Sequence, residues 1–136
     1  MQLVPVKQII SILQLNSTVA VVGLSPKPNR PSHQVARYLQ RNGYRVIPVN
    51  PGQNEILGKK CYPDLDAVPD SIDIVNIFRR SEHVLPIVRD AIANKVKVVW
   101  MQQGIINEEA EQLAEKYELI VIMDRCIKVD HQNFME

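Results

Sequence analysis

The segment VAVVGLSPKPNRPSHQ, residues 19–34, decides the fold. It opens as a short apolar run, meets a single glycine at Gly23, and turns stiff and positive through Pro26, Lys27, Pro28, Arg30 and Pro31. The apolar part reads as a buried strand, and the polar stretch from Pro31 reads as the start of a helix. A strand that leaves through such a loop into a helix is half of a βαβ unit.

Working outward, the same grammar recurs. Five apolar runs stand at 18–24 (TVAVVGL), 44–50 (YRVIPVN), 72–78 (IDIVNIF), 96–101 (VKVVWM) and 119–123 (LIVIM). They are rich in β-branched residues and nearly continuous, as strands covered on both faces are. Helical periodicity separates them. Residues 5–15 place Val6, Ile9, Ile10 and Leu13 on one face, and 31–42 gather Val35, Ala36 and Leu39 before stopping at Asn42 and Gly43. Residues 82–94 align Val84, Ile87, Val88, Ala91 and Ile92, with Ser81 expected as N-cap. Residues 108–117 follow Asn107 and are expected to bury Leu113, Ala114 and Tyr117.

Alternation of this kind predicts an α/β fold, a doubly wound parallel five-stranded sheet in the order 3-2-1-4-5 with helices on both faces. In such sheets a ligand lies beyond the carboxyl ends of the strands, where the winding reverses. The expected site is therefore built from residues 23–33, 50–60, 78–83 and 101–106, in a crevice between the first and fourth strands. The connection 50–70 is long and turn-rich, with room for one short helical turn.

Composition narrows the function. The chain has 136 residues, 16 basic against 15 acidic, and a formal charge of +1. That is one domain with an ordinary core, and its scattered cations argue against a nucleic-acid partner. No apolar stretch has the length of a membrane span or the form of a signal peptide, so a cytoplasmic location without membrane contact is expected. Two cysteines, Cys61 and Cys126, make neither a disulfide framework nor a metal site.

The strand ends carry the chemistry. After the first strand, Gly23 allows close backbone approach, Ser25 offers a hydroxyl, and Lys27 and Arg30 add charge at a helix N-terminus, which favours phosphate. The same cations on a plain connecting loop would simply be solvated. The dinucleotide fingerprint G-x-G-x-x-G with a later acid is absent: only Gly23 stands in the loop, and Asn50 and Pro51 occupy the acid's place. That points away from NAD. After the third strand, Phe78 suits an apolar or aromatic group, and Arg79 and Arg80 offer planar forks for phosphate. After the fourth, Trp100 is expected in the core and Met101 on the crevice wall, while Gln102 and Gln103 suit amide groups.

Together VAVVGLSPKPNRPSHQVARYLQRNGYRVIPVNP, ILGKKCYPDL, DIVNIFRR, VWMQQGI and IMDRCIKVDH resemble the small stand-alone CoA-binding proteins. These are similar to the N-terminal CoA-binding domain of the succinyl-CoA synthetase α subunit. The resemblance runs from about Val19 to His131 and implies a Rossmann-like sheet, a single CoA-binding domain over 1–136, with coenzyme A or an acyl-CoA as partner. It implies that Gly23, Leu24 and Ser25 meet the diphosphate, and that Asn50 and Pro51 border the adenosine. Phe78 and Arg79 would flank the nucleotide, and Met101 and Gln102 would follow the pantetheine arm. A lysine that related domains often carry after the second strand, within reach of the ribose 3′-phosphate, is missing here; Lys59 and Lys60 are the nearest cations. The phosphohistidine loop and nucleotide-binding subunit of the synthetase have no counterpart, so ligase activity is not implied.

An alternative reading is an enzyme acting on a CoA thioester or nucleotide through Cys126 and His131, although their five-residue spacing is poor for a thiolate–imidazole pair on a helix. Thiol exchange of Cys61 or Cys126 with the CoA thiol is a further option.

Overall fold

The structure, a computed structural model, describes residues 4–135. In chain order the elements are α1 (Val6–Leu15), β1 (Thr18–Val22), α2 (Pro31–Arg41), β2 (Arg45–Val49), β3 (Glu55–Ile56), β4 (Lys59–Lys60) and β5 (Ile74–Ile77). A 3-10 turn (Ser81–His83) then leads into α3 (Val84–Ala93), followed by β6 (Val98–Met101), α4 (Glu108–Lys116), β7 (Ile120–Ile122) and α5 (Ile127–Phe134). Each of the five apolar runs contains a strand, shortened at its ends by the turns.

These strands form one sheet in the order β2-β1-β5-β6-β7, with every neighbouring pair parallel. Alternate residues feed opposite faces. Val19, Val21, Ile74, Val98 and Trp100 pack with α1, α2 and α5, while Ala20, Val22, Val75, Ile77, Val99 and Met101 pack with α3 and α4. Helices thus cover both faces, as expected of a Rossmann-like α/β fold.

The run 72–78 is placed differently from the expectation. Instead of lying outside β2, it supplies β5 in the middle of the sheet, where all four of its residues are buried. The place outside β2 is held by a single parallel bridge between Tyr62 and Val49. The winding of a 3-2-1-4-5 sheet is kept, with that one bridge in third place. The reason is polarity: the segment before Tyr62 carries two exposed lysines, which suit an edge and not an interior. The winding therefore reverses between β1 and β5.

Other local readings are corrected. The connection 50–70 contains no helical turn; residues 55–60 make the two-stranded antiparallel hairpin β3-β4. Ser81 does not cap α3 with its side chain. Its Oγ accepts from the Ile106 amide at 3.0 Å, and its carbonyl accepts from Asn107 Nδ2 at 2.9 Å, so Ser81 ties the loop after β5 to the loop after β6. Tyr117 lies 56% exposed, because it falls after the last turn of α4 where the chain turns into β7. Asn107 does cap α4, accepting from the Ala110 amide at 2.9 Å.

Candidate functional site

The crevice begins where β1 and β5 part. Phe78 N donates to Val22 O at 2.8 Å, and Gly23 N donates to Val49 O at 2.9 Å, so Gly23 is held by the strands on both sides. Its φ is +89°, and a Cβ placed on it would lie 2.4 Å from the Phe78 carbonyl oxygen and 3.3 Å from Arg79 Nε. Only glycine fits. The first and third strand ends thereby approach closely, and the Arg79 guanidinium lies against the glycine.

The loop beyond Gly23 is braced rather than loose. Ser25 N donates to Ser32 Oγ at 3.0 Å, Ser25 O meets His33 Nδ1 at 2.9 Å, and Lys27 N donates to Ser25 Oγ at 3.1 Å. Ser32 and His33 are buried. Sequence reasoning passed over both, although polar residues directly after the helix-starting Pro31 are the signal of such a brace. Asn50 is a brace as well: its Nδ2 donates to Leu24 O at 2.9 Å, and its Oδ1 accepts from Gly52 N at 3.0 Å. Leu24 is fully buried, so what it offers the crevice is backbone. Lys27 and Arg30 are exposed on this loop and line neither of the two neighbouring concavities.

Two concavities open here. The larger, about 700 Å³, lies between the first turn of α2, the loops after β5 and β6, and the start of α5. Its lining holds three cations (Arg79, Arg80 and Lys128), four glutamines (Gln34, Gln102, Gln103 and Gln132), and no acid. The rest is apolar apart from Cys126. The smaller, about 150 Å³, lies on the other face of the sheet beside the end of β2, between Val49, Pro51, Leu65 and Ile87, with Asp64 and Asp90 at its edge. Burial, together with the nearby carboxylates of Asp66 and Asp64, pushes Asp90 above the usual carboxylate range. Arg79 lines both concavities.

Gln102 is mostly buried, and its Oε1 accepts from Asn76 Nδ2 at 3.3 Å and from Ile127 N at 3.4 Å. Asn76 is fully buried, and its Oδ1 has no partner among the described residues. Met101, expected on the wall, is instead fully buried among α3 and α4 residues of the opposite face. Strand alternation puts Met101 on the other side from Trp100, and that side is closed by helices before it reaches the crevice. Trp100 is in the core as expected, with Nε1 donating to Arg125 O at 2.9 Å.

Arg79 forms no ion pair among the described residues, and Arg80 lies 3.9 Å from Glu82 with both side chains largely exposed. A pair of that kind contributes little and leaves the guanidinium available. The buried acid Asp130 is instead taken by Arg125, through bonds of 2.7 and 2.8 Å that hold the start of α5. Cys126 lines the larger cleft, whereas His131 is buried, meets Tyr38 Oη through Nδ1 at 2.6 Å, and borders a different depression with Tyr44 and Met135. The thiol and the imidazole are not brought into one site. Cys61 is buried too, and burial pushes its thiol above the usual range. No group of three or more metal-ligating side chains occurs among the described residues, and no described helix is long and apolar enough to cross a membrane.

Known proteins resemble this chain in sequence and in fold. YneT of Bacillus subtilis (strain 168) is 46% identical over 124 residues, covering 91% of this chain and 92% of that one. The structure of a protein from Pyrococcus horikoshii OT3 matches with a TM-score of 0.95 and 38% identity, over 98% of this chain and 94% of that one. Acetate–CoA ligase [ADP-forming] II of Archaeoglobus fulgidus is 31% identical over 100 residues, which are 72% of this chain and only 15% of the ligase. The CoA binding domain model matches residues 17–132, and the chain belongs to that family.

Proposed function

We propose that this protein binds coenzyme A or an acyl-CoA across the carboxyl edge of its sheet, with no catalytic step of its own. The observation that carries this reading is the lining of the larger cleft: three cations, four amide side chains and no carboxylate. Phosphates answer to the first set, and the two amides of a pantetheine arm answer to the second. Family membership supports the same ligand.

In this reading the adenosine lies in the smaller concavity by Pro51, and the diphosphate crosses at Gly23, Leu24 and Ser25 beneath Arg79. The pantetheine follows Phe78 and Gln102 toward Cys126. Arg79 borders both concavities, as a group at the bend of such a ligand must. The exposed Lys27, Arg30 and Arg80 add attraction. The 3′-phosphate falls to Lys59 and Lys60 on the hairpin outside β2, where Lys60 Nζ stands 5.3 Å from the centre of the Tyr62 ring. Asn50 shapes the loop and borders the adenosine, while Met101, fully buried, supports the sheet from behind. In this reading the chain works in the cytoplasm.

Calorimetric titration with CoA, dephospho-CoA, NAD and ATP tests the proposal. CoA should bind best and dephospho-CoA more weakly, with the gap narrowing in a Lys59→Gln, Lys60→Gln double variant. Tightest binding of NAD would overturn it.

A further inference from the structure

The larger cleft has a nucleophile in its wall that simple CoA binding does not use. Cys126 is the residue before the first turn of α5, half-buried, and faces the same cavity as Arg79, Arg80 and Lys128. The Cys126 thiol shares its cavity with three cations and stands directly before the first turn of α5. A second observation concerns the same wall. Asn76 reaches from β5 to Gln102, which in turn accepts from the Ile127 amide next to Cys126, and Asn76 Oδ1 is left fully buried without a partner among the described residues. Asn76 and Gln102 thus fix the start of α5, and with it Cys126, from behind the cleft lining. Cys61 differs on every count: it is 6% exposed, its thiol donates to the Asn50 carbonyl at 3.4 Å, and it lines neither concavity.

We propose that the cleft is a thiol–disulfide exchange site for CoA disulfides, in which Cys126 becomes reversibly capped by CoA. The inference rests on the CoA-binding reading, since the nucleotide must deliver the sulfur to Cys126. In the step, Cys126 Sγ loses its proton and attacks one sulfur of CoA disulfide. A Cys126–S–S–CoA bond forms as the S–S bond of the CoA disulfide breaks, and the departing CoA sulfur takes up a proton to leave as the free thiol. One thiol and one disulfide stand on each side, so no other oxidant is consumed. A second thiol reverses the step.

The test uses the full-length reduced protein, incubated with CoA disulfide or with glutathione disulfide and followed by intact-mass and peptide mass spectrometry. Positioning by the nucleotide should make capping by CoA disulfide about tenfold faster or more than by glutathione disulfide. The adduct should map to Cys126, form equally in Cys61→Ala, and be missing from Cys126→Ser. Equal rates with the two disulfides, or an adduct that persists in Cys126→Ser, would overturn the proposal. Calorimetry with reduced CoA separates the two readings: binding without capping defeats exchange alone, and neither binding nor capping defeats both.

Discussion

Gly23 and Phe78 stand where the winding reverses, so near that a Cβ on the glycine would overlap the Phe78 carbonyl oxygen. The obstructing atom is backbone, anchored by the bond from Phe78 N to Val22 O, and it does not yield as a side chain would. Gly23→Ala adds this overlap to the strain of a positive φ. It should cost about 2 kcal/mol or more in urea unfolding and abolish CoA binding by calorimetry.

Arg79 lines both concavities, while Arg80 lines only the larger and is mostly exposed. Arg79→Ala should weaken CoA binding by about tenfold to a hundredfold, the value of one charge-assisted bond, with circular dichroism unchanged. Arg80→Ala should cost about threefold or less, and Arg79→Lys should restore only part of the loss because the planar fork is gone.

Asp73 ties the start of β1 to β5, its Oδ2 accepting from Ser17 N at 3.0 Å and Thr18 N at 3.1 Å, with Lys97 Nζ 3.4 Å from Oδ1. Burial alone would raise its carboxyl, but those two amides and the ammonium together hold it below the usual range. The native state then binds fewer protons here than the unfolded chain does. Its stabilisation is therefore present above the unfolded carboxylate pKa of about 3.9 and is lost as pH falls through the lower folded value. Asp73→Asn should lower the melting temperature near neutral pH and flatten that acid limb.

Asp90 has the opposite sign. Its folded carboxyl is raised, so any stability it lends is present below the unfolded pKa and is lost as pH rises through the folded one. Asp90→Asn should raise the melting temperature near neutral pH and leave it unchanged in acid, a comparison that differential scanning calorimetry makes directly.

Asp130 is 4% exposed and gripped bidentately by Arg125, whose own side chain is partly open to solvent. Asp130→Ala should destabilise the protein by about 1–3 kcal/mol and loosen α5, read as faster amide exchange over residues 126–131.

The alternation of β-branched runs with helical periodicity was legible because each buried strand must be apolar on both faces and each surface helix on one. The loop 23–31 was legible as a stiff strand-to-helix connection because glycine and proline at a strand end restrict the backbone there. What misled was geometry at a distance. Met101 and Tyr117 were misplaced because one strand alternation or one turn past a helix end reverses a side chain's exposure. Asn50 was read as bordering the adenosine; its bonds to Leu24 and Gly52 were not legible, because a sequence does not reveal which partner a side chain chooses. Ser32 and His33 were passed over although their place directly after Pro31 signals a brace.

By itself the sequence determined the elements, their parallel winding and the edge of the sheet where the cleft opens, since these follow from local pattern and chain handedness. Only the tertiary structure decided that 74–77 takes the centre, that four glutamines and three cations face one cleft without an acid, and that Cys126 joins them while His131 does not. Those outcomes depend on which strands compete for the interior and on how distant helices dock, and neither is encoded in the spacing of neighbouring residues.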